Sequence, residues 1–351
     1  MMIPFLIACF CLMMYLMICV YRFFNQSFAF PYHKQVFVLI SSSLTILFLI
    51  RFSFRFYLIE NDAVYDGILY ICSYALVLYT LLFVVYWIIQ LLQHMQKKVN
   101  FRHWFAGTLI LSIILASYGL WNTTQIQQKE YTYRLAGVTK DMDILLVSDL
   151  HLSTSVKTSE MKQLFDEAEK EQVDMLWIAG DLFDESTRQK DMHAFCELAK
   201  ETTIPIYYAL GNHEQLSGNK ETFVNMLNDA DIHVLQDEAV IVDGIQIVGR
   251  KDKLEGRKPL SEILVDESLP ALVIDHRPDY GGEQIGLQVS GHTHNGQIFP
   301  NNIFTGIAYP QLYGCYDEAY PMIVTSGYGT WGFPMRIGSH GESVILHLKK
   351  G

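Results

Sequence analysis

The stretch that decides the fold is MDILLVSDLH, residues 142–151, an apolar run that stops at Asp149 and His151. A short, near-continuous aliphatic segment of this kind reads as a strand buried on both faces. Such strands belong to parallel sheets covered by helices, and the residues downstream repeat the pattern. Ser159–Lys170 reads as an amphipathic helix, Val173–Ala179 as a strand and Asp191–Glu201 as a helix. Ile204–Leu210 follows as a strand and Glu221–Asn228 as a helix. This βαβαβα order predicts an α/β domain opening on a parallel sheet. The rhythm then changes: Ala239–Val242 and Ile245–Gly249 flank an Asp243-Gly244 turn. Further strands are expected at Ala271–Ile274, Gly286–Ser290, Met322–Thr325 and Ser343–Leu348. Together these predict two sheets stacked between helices.

Upstream the composition shifts. The chain has 351 residues, 50% of them hydrophobic, with a formal net charge of −11. Residues 1–121 carry seven Lys/Arg and three acids, a balance of +4, and the remainder carries −15. A membrane region at 1–121, a polar linker at 122–141 and an acidic domain at 142–351 are therefore expected. Four stretches approach the roughly 20 apolar residues that cross a bilayer: Ile3–Tyr21, Val36–Tyr57, Ala63–Leu92 and Trp104–Trp121. No ionisable group stands mid-span, so anchoring is favoured over transport. The first stretch lacks a basic leader and a small-residue cleavage site, which predicts a retained anchor. Arg22 and Lys34, then Lys97, Lys98 and Arg102, fall in loops on one side. By the positive-inside rule those loops face the cytoplasm and the C-terminal domain faces outward. Arg51 and Arg55, offset by Glu60, Asp62 and Asp66, stand on the other side and oppose this orientation. An acidic domain disfavours nucleic acid as a partner, because phosphate backbones need a basic footprint. The six cysteines form no C-x-x-C pair, so neither a disulfide framework nor a zinc ribbon is encoded, and Cys196 reads as a small core residue.

Five segments carry the chemistry: Asp149-Leu150-His151, Gly180-Asp181-Leu182-Phe183-Asp184, Gly211-Asn212-His213-Glu214, Asp275-His276 and Gly291-His292-Thr293-His294-Asn295. Each alone has a plain structural explanation. Alternation on a strand puts Asp149 and His151 on one face by geometry, and Gly180-Asp181 and Gly211-Asn212 suit ordinary turns. His292 and His294 on one side of an extended segment are harder to dismiss. In ordered combination the five predict a site for two divalent cations, manganese, iron or zinc, held by carboxylate, imidazole and amide donors. Two such ions clamp a phosphate, need a shared carboxylate between them, and acidify a bridging water into a nucleophile for in-line attack.

With these motifs the chain resembles a calcineurin-like metallophosphoesterase over Met142–Leu348. The resemblance implies a four-layer sandwich of two mixed sheets flanked by helices. It implies that Asp149, His151 and His294 hold one metal, that Asp181 bridges, and that Asn212, His276 and His292 complete the second. It further implies that His213 is the catalytic histidine that protonates the leaving oxygen, with Asp184 orienting it. Phosphoprotein phosphatases of this superfamily have Arg-Gly after the second motif. Here Glu185-Ser186 stand there, which disfavours a phosphoprotein substrate. The run Gly291–Gln297, with Ser326–Pro334 downstream, is similar to a bacterial membrane-associated branch, although Asn295 stands where many of that branch have glycine. Some of that branch act on lipid-linked phosphodiesters, which makes lipid a candidate substrate.

Around the site, Arg277 and Arg250-Lys251 are either phosphate contacts or ion-paired surface groups. The loop Gly327–Phe333 is either a pocket wall or a plain connection. His193, His233, His340 and His347 lie outside the motifs and read as structural. The sequence thus favours a membrane-anchored, dinuclear phosphoesterase, a phosphodiesterase of small or lipid-linked substrates. A metal- or phosphate-binding sensor signalling through the helices is the alternative.

Overall fold

The computed structural model describes residues 2–28, 32–53, 62–279, 285–316 and 320–351, with side chains from Met14 onward except at 48–53 and 62–63. The chain divides into two units, Met1–Gly119 and Leu120–Gly351.

The first unit is helical: α1 (Met2–Ser27), α2 (His33–Ser53), α3 (Asp62–His94) and α4 (Phe101–Asn122, which ends just inside the second unit). The four helices stand where four apolar stretches were expected, each extended by a few polar residues. Among the described residues, two spans, Val64–His94 and Phe101–Asn122, are long and apolar enough to cross a membrane. Four such spans were expected, so length and composition support half that number. Cys19, Val20 and Phe23 of α1 are buried with Leu82, Tyr86 and Ile89 of α3. Much of the remaining surface is apolar and exposed, including Leu39, Leu91, Ile110 and Ile114. That is the inverse of a water-facing helix and fits a lipid-facing one. Of the residues used to orient the region, Arg55 and Glu60, and the side chains of Arg51 and Asp62, lie outside the described residues, as do the side chains of Cys9 and Cys11.

The second unit holds two six-stranded mixed sheets. Its strands are β1 (Ile126–Leu135), β2 (Met142–Val147), β3 (Met175–Ala179), β4 (Ile206–Ala209), β5 (His233–Leu235), β6 (Glu238–Val242), β7 (Ile245–Gly249), β8 (Ala271–Ile274), β9 (Leu287–Ser290), β10 (Gly314–Tyr316), β11 (Met322–Val324) and β12 (Gly341–Lys350). The first sheet runs β1-β12-β2-β3-β4-β5 and the second β10-β11-β9-β8-β7-β6. β2 to β5 are parallel, with Leu145 opposite Leu176 and Trp177 opposite Tyr207, and β12 meets β2 antiparallel.

Why β2, β3 and β4 lack polar alternation is now plain. Their odd and even residues enter different cores. Leu145, Leu176, Ile178 and Tyr208 face α5 (Thr158–Lys170), α6 (Gln189–Glu201) and α8 (Lys220–Asn228), against Leu164, Phe195 and Leu227. Ile144, Leu146, Trp177 and Tyr207 face the second sheet, against Ile247, Leu272 and Val289. Burying a side chain such as Trp177 fully contributes on the order of 3 kcal/mol. The outer face of the second sheet is closed over Val248 and Val273 by Leu260 and Ile263.

One expectation is corrected. The segment read as a linker, 122–141, contains β1, a ten-residue edge strand paired in parallel with β12 from Ile126 opposite Gly341 to Leu135 opposite Lys350. Tyr131, Tyr133 and Leu135 turn toward the inter-sheet core while Glu130, Thr132 and Arg134 face solvent. Its polar face masked the period of two.

Candidate metal centre

Four of the five motif segments leave the C-terminal ends of β2, β3, β8 and β9, and Gly211–Glu214 follows β4 into the short helix α7 (Asn212–Leu216). The loops are zipped together by main-chain hydrogen bonds. Asp149 N donates to Gly180 O (2.9 Å), His151 N to Asp181 O (3.1 Å), Gly291 N to His276 O (3.0 Å) and Tyr328 N to Ser148 O (2.8 Å). Asp149, His151, Asp181, His292 and His294 all have left-handed backbones, with φ between 47° and 70°. Non-glycine residues in this region are sparse and gather at functional sites. The motif pairs are therefore not parts of extended strands. The left-handed turn at His292 and His294 sends the two imidazoles to different clusters, correcting the expectation that they share one side.

The two clusters are Asp149, His151 and His294, and Asp181, His276 and His292, each with its donor atoms within 4.8 Å of one another. Asp181 Oδ2 lies between them, 3.1 Å from His276 Nε2 and 4.0 Å from His151 Nε2. Asp149 Oδ1 stands 3.2 Å from His294 Nε2. Burial opposes ionisation of both carboxyls. The imidazoles of His294, for Asp149, and of His276, for Asp181, nonetheless hold them below the usual range. The outward-facing atoms of the imidazoles are fixed by what lies behind them. His276 Nδ1 donates to Ala179 O (2.9 Å), which leaves Nε2 as the atom that faces Asp181. His151 Nδ1 lies 3.3 Å from Asp184 Oδ2, and its buried Nε2 has no hydrogen-bond partner. His292 Nε2 lies 2.9 Å from Tyr309 Oη, while Nδ1 faces the cluster 3.2 Å from His276 Nε2. Burial, reinforced by neighbouring His276 and Arg277, depresses His292 to about 3, so it is neutral and fit to ligate.

Asn212 Oδ1, Asp149 Oδ1 and His151 Nε2 are buried without hydrogen-bond partners. Three orphaned acceptors in the strand-end loops would each cost on the order of 1–3 kcal/mol in a protein that bound nothing there. A divalent cation satisfies such groups, and the oxygen–imidazole donor set suits manganese, iron or zinc. The residues present thus fit the metal group expected of them.

His213 lies beside both clusters, its ring 5.1 Å from that of His151. Its Nδ1 stands 3.3 Å from Glu185 Oε2. Burial would depress it, but the Glu185 hydrogen bond and the charges of Asp181 and Asp184 prevail and raise it to about 9. Asp184 was expected to orient His213. Instead, Glu185 makes that contact, while Asp184 Oδ2 stands behind His151 and its Oδ1 accepts from Ser186 N (2.6 Å). The turn at residues 184–187 explains the exchange: Thr187 N donates to Asp184 O, folding Asp184 inward and Glu185 toward α7.

Three residues were not singled out from sequence. Glu214 is fully buried and braces two loops, accepting from Asp181 N (3.1 Å), Phe183 N (3.1 Å) and Gly211 N (2.6 Å). The Glu three positions after Gly211 was visible as a helix-start signal. Arg336, fully buried, donates to the carbonyls of Ser326, Gly327, Gly329 and His294. It fixes the loop 327–333 against the site, and nothing in its neighbouring residues marks it. Tyr309 supports His292 and contacts Arg277 (3.2 Å).

The loop 327–333 is a pocket wall. Gly327 lies against Asp149, where a Cβ would come within 2.9 Å of it, and the exposed Trp331 ring stands 5.9 Å from that of His213. Arg277 and Arg250 are ion-paired, to Asp252 (2.7 Å) and Asp237 (3.6 Å). Asp275 is held by Arg257 through two contacts of 2.7 and 2.8 Å.

Residues 142–296 match the model of the calcineurin-like phosphoesterase family. An uncharacterized metallophosphoesterase of Helicobacter pylori J99 is 29% identical over 234 residues, 63% of either chain. One of Campylobacter jejuni is 29% identical over 69% of this chain and 68% of its own. A transmembrane protein with metallophosphoesterase domain from Danio rerio is 28% identical over 69% of this chain and 62% of its own. The match thus spans less than two thirds of the length of the Helicobacter and Danio relatives. From family model, relatives and site geometry together, this chain carries a calcineurin-like metallophosphoesterase domain.

Proposed function

We propose that the chain is a membrane-anchored phosphodiesterase that works with two divalent cations. The observation that carries this reading is the position of Asp181 Oδ2 between two donor clusters, 3.1 Å from His276 Nε2 and 4.0 Å from the orphaned His151 Nε2. Asp149, His151 and His294 would hold one ion, Asn212, His276 and His292 the other, and Asp181 both. When bound, the ions supply Lewis-acid charge for phosphate and an activated water.

The chain's own residues supply positioning and proton transfer. His213 carries its proton at Nδ1 toward Glu185, which turns Nε2 to the leaving-group side. The hydrogen bond to Glu185 favours its protonated form, which can donate to the departing oxygen. The Trp331 ring stands 5.9 Å from that of His213. A diester is favoured over a monoester on charge. Arg250, Arg257 and Arg277 are engaged by carboxylates, and Glu185 adds negative charge at the site. A phosphodiester carries one negative charge and a phosphomonoester nearly two, so the diester meets less repulsion. The spans in α3 and α4 anchor the chain, with the catalytic domain on the outer side of the membrane.

The full chain in detergent, loaded with manganese, should hydrolyse an aryl phosphodiester. His213→Ala should lower kcat by about 10²–10⁴ with metal content unchanged. A variant that keeps its turnover would remove His213 from the reaction.

A further inference from the structure

Beside the metal centre lies an apolar surface that the reaction does not use. The helix α9 (Asn301–Ala308) has no buried residue. Ile303, Phe304 and Ile307 project from it at 54%, 65% and 77% exposure, and Phe299 precedes it at 60%. Spacings of one and four residues place the three helical side chains on one face. From Ile298 to Tyr316 there is no Asp, Glu, Lys or Arg, although the domain as a whole is strongly acidic. Tyr309, Tyr313 and Tyr316 lie in the same stretch, the side chains that prefer the membrane–water boundary.

The helix is tied to metal-ligand segments at both ends. Asn301 Nδ2 donates to Gly296 O (3.1 Å), just after His294, and Tyr309 Oη meets His292 Nε2 (2.9 Å). It is also tied to the chain that emerges from α4. Asn122, the last residue of that 22-residue apolar helix, donates to Arg336 O (3.1 Å) and Ser339 O (2.8 Å). The same segment pairs with the residues before α9: Phe299 N donates to Ile337 O (2.7 Å) and Ile337 N to Gln297 O (3.0 Å). Asn122, the apolar face and the metal-ligand segments thus form one connected patch within the second unit.

We propose that Phe299 and α9 lie in the surface of a lipid bilayer, and that the phosphoester substrate is presented to the metal centre from that surface. This rests on the reading of α3 and α4 as membrane spans. The uncharged stretch is the part of an acidic domain that can approach a bilayer without repulsion, and its small apolar face suits shallow insertion.

The test uses the full chain in phosphatidylcholine vesicles whose acyl chains carry a photoactivatable diazirine, with adducts located by mass spectrometry. Adducts on 299–307 together with adducts on 64–122 are expected. Adducts on 64–122 alone, or protein–protein crosslinks through α9 in their place, overturn the proposal while leaving the anchor intact. Their absence from both regions overturns the proposal and the anchoring together. In a second arm, the exposed residues are changed to give Ile303→Ser/Phe304→Ser/Ile307→Ser. Hydrolysis of a soluble aryl phosphodiester should persist, while hydrolysis of its long-chain alkyl analogue embedded in vesicles should fall at least about tenfold. Equal effects on both substrates overturn it.

Discussion

Two adjacent carboxylates divide the labour at this site. Asp184 stands behind His151 and Glu185 behind His213, each 3.3 Å from an Nδ1. A carboxylate behind a metal-ligating imidazole fixes its tautomer and raises its basicity, and losing one typically lowers metal affinity 10–100-fold. Asp184→Asn should therefore weaken manganese binding by about that factor, measured by isothermal titration. Glu185→Gln should leave manganese binding unchanged and lower kcat about tenfold or more. The opposite pattern would restore the role first expected of Asp184. The two donor clusters were legible because hard donors at strand ends are rare in ordered series. The choice between Asp184 and Glu185 was not, because it depends on which way one turn folds. Glu214 and Arg336 were hidden for a similar reason: their partners are main-chain groups, which leave no trace in residue type.

At the scale of elements, the strand-end loops leave no spare volume. A Cβ on Gly211 would collide with Asp181 Oδ1, the carboxylate between the two clusters. Gly211→Ala should therefore reduce metal content, read by elemental analysis of the purified chain, without displacing β4. Arg336 is the other keystone, since its removal leaves four carbonyls with lost donors in a buried setting. Arg336→Met should cost on the order of 3 kcal/mol or more in stability, read as a fall in thermal midpoint. The parallel strands were readable because burial on both faces forces aliphatic runs. β1 was missed because it is an edge strand with one polar face, and α9 because eight residues between Pro300 and Pro310 are too short a window for a helical period to stand out.

For the whole molecule, charge and hydropathy divide the labour between an apolar helical unit and an acidic α/β unit. The helices were legible from length and composition. Which side of the membrane they deliver the domain to rests on a few basic residues in the loops. A reporter that folds only outside the cytoplasm, fused after Gly351, should be active, and its inactivity beside an active cytoplasm-dependent reporter at the same position would reverse that orientation. The −15 balance of residues 122–351 predicts that added duplex DNA leaves turnover unchanged even at low salt. Two clusters sharing Asp181 should bind two divalent cations that support phosphodiester hydrolysis. The most direct measurement is metal stoichiometry and aryl phosphodiester turnover on the same manganese-loaded full chain, wild type beside Asp181→Asn. Two ions per chain and turnover are expected in the wild type, with both lost in the variant. Two bound ions with no turnover on any phosphoester, or an Asp181→Asn chain that keeps both ions and full activity, would contradict this.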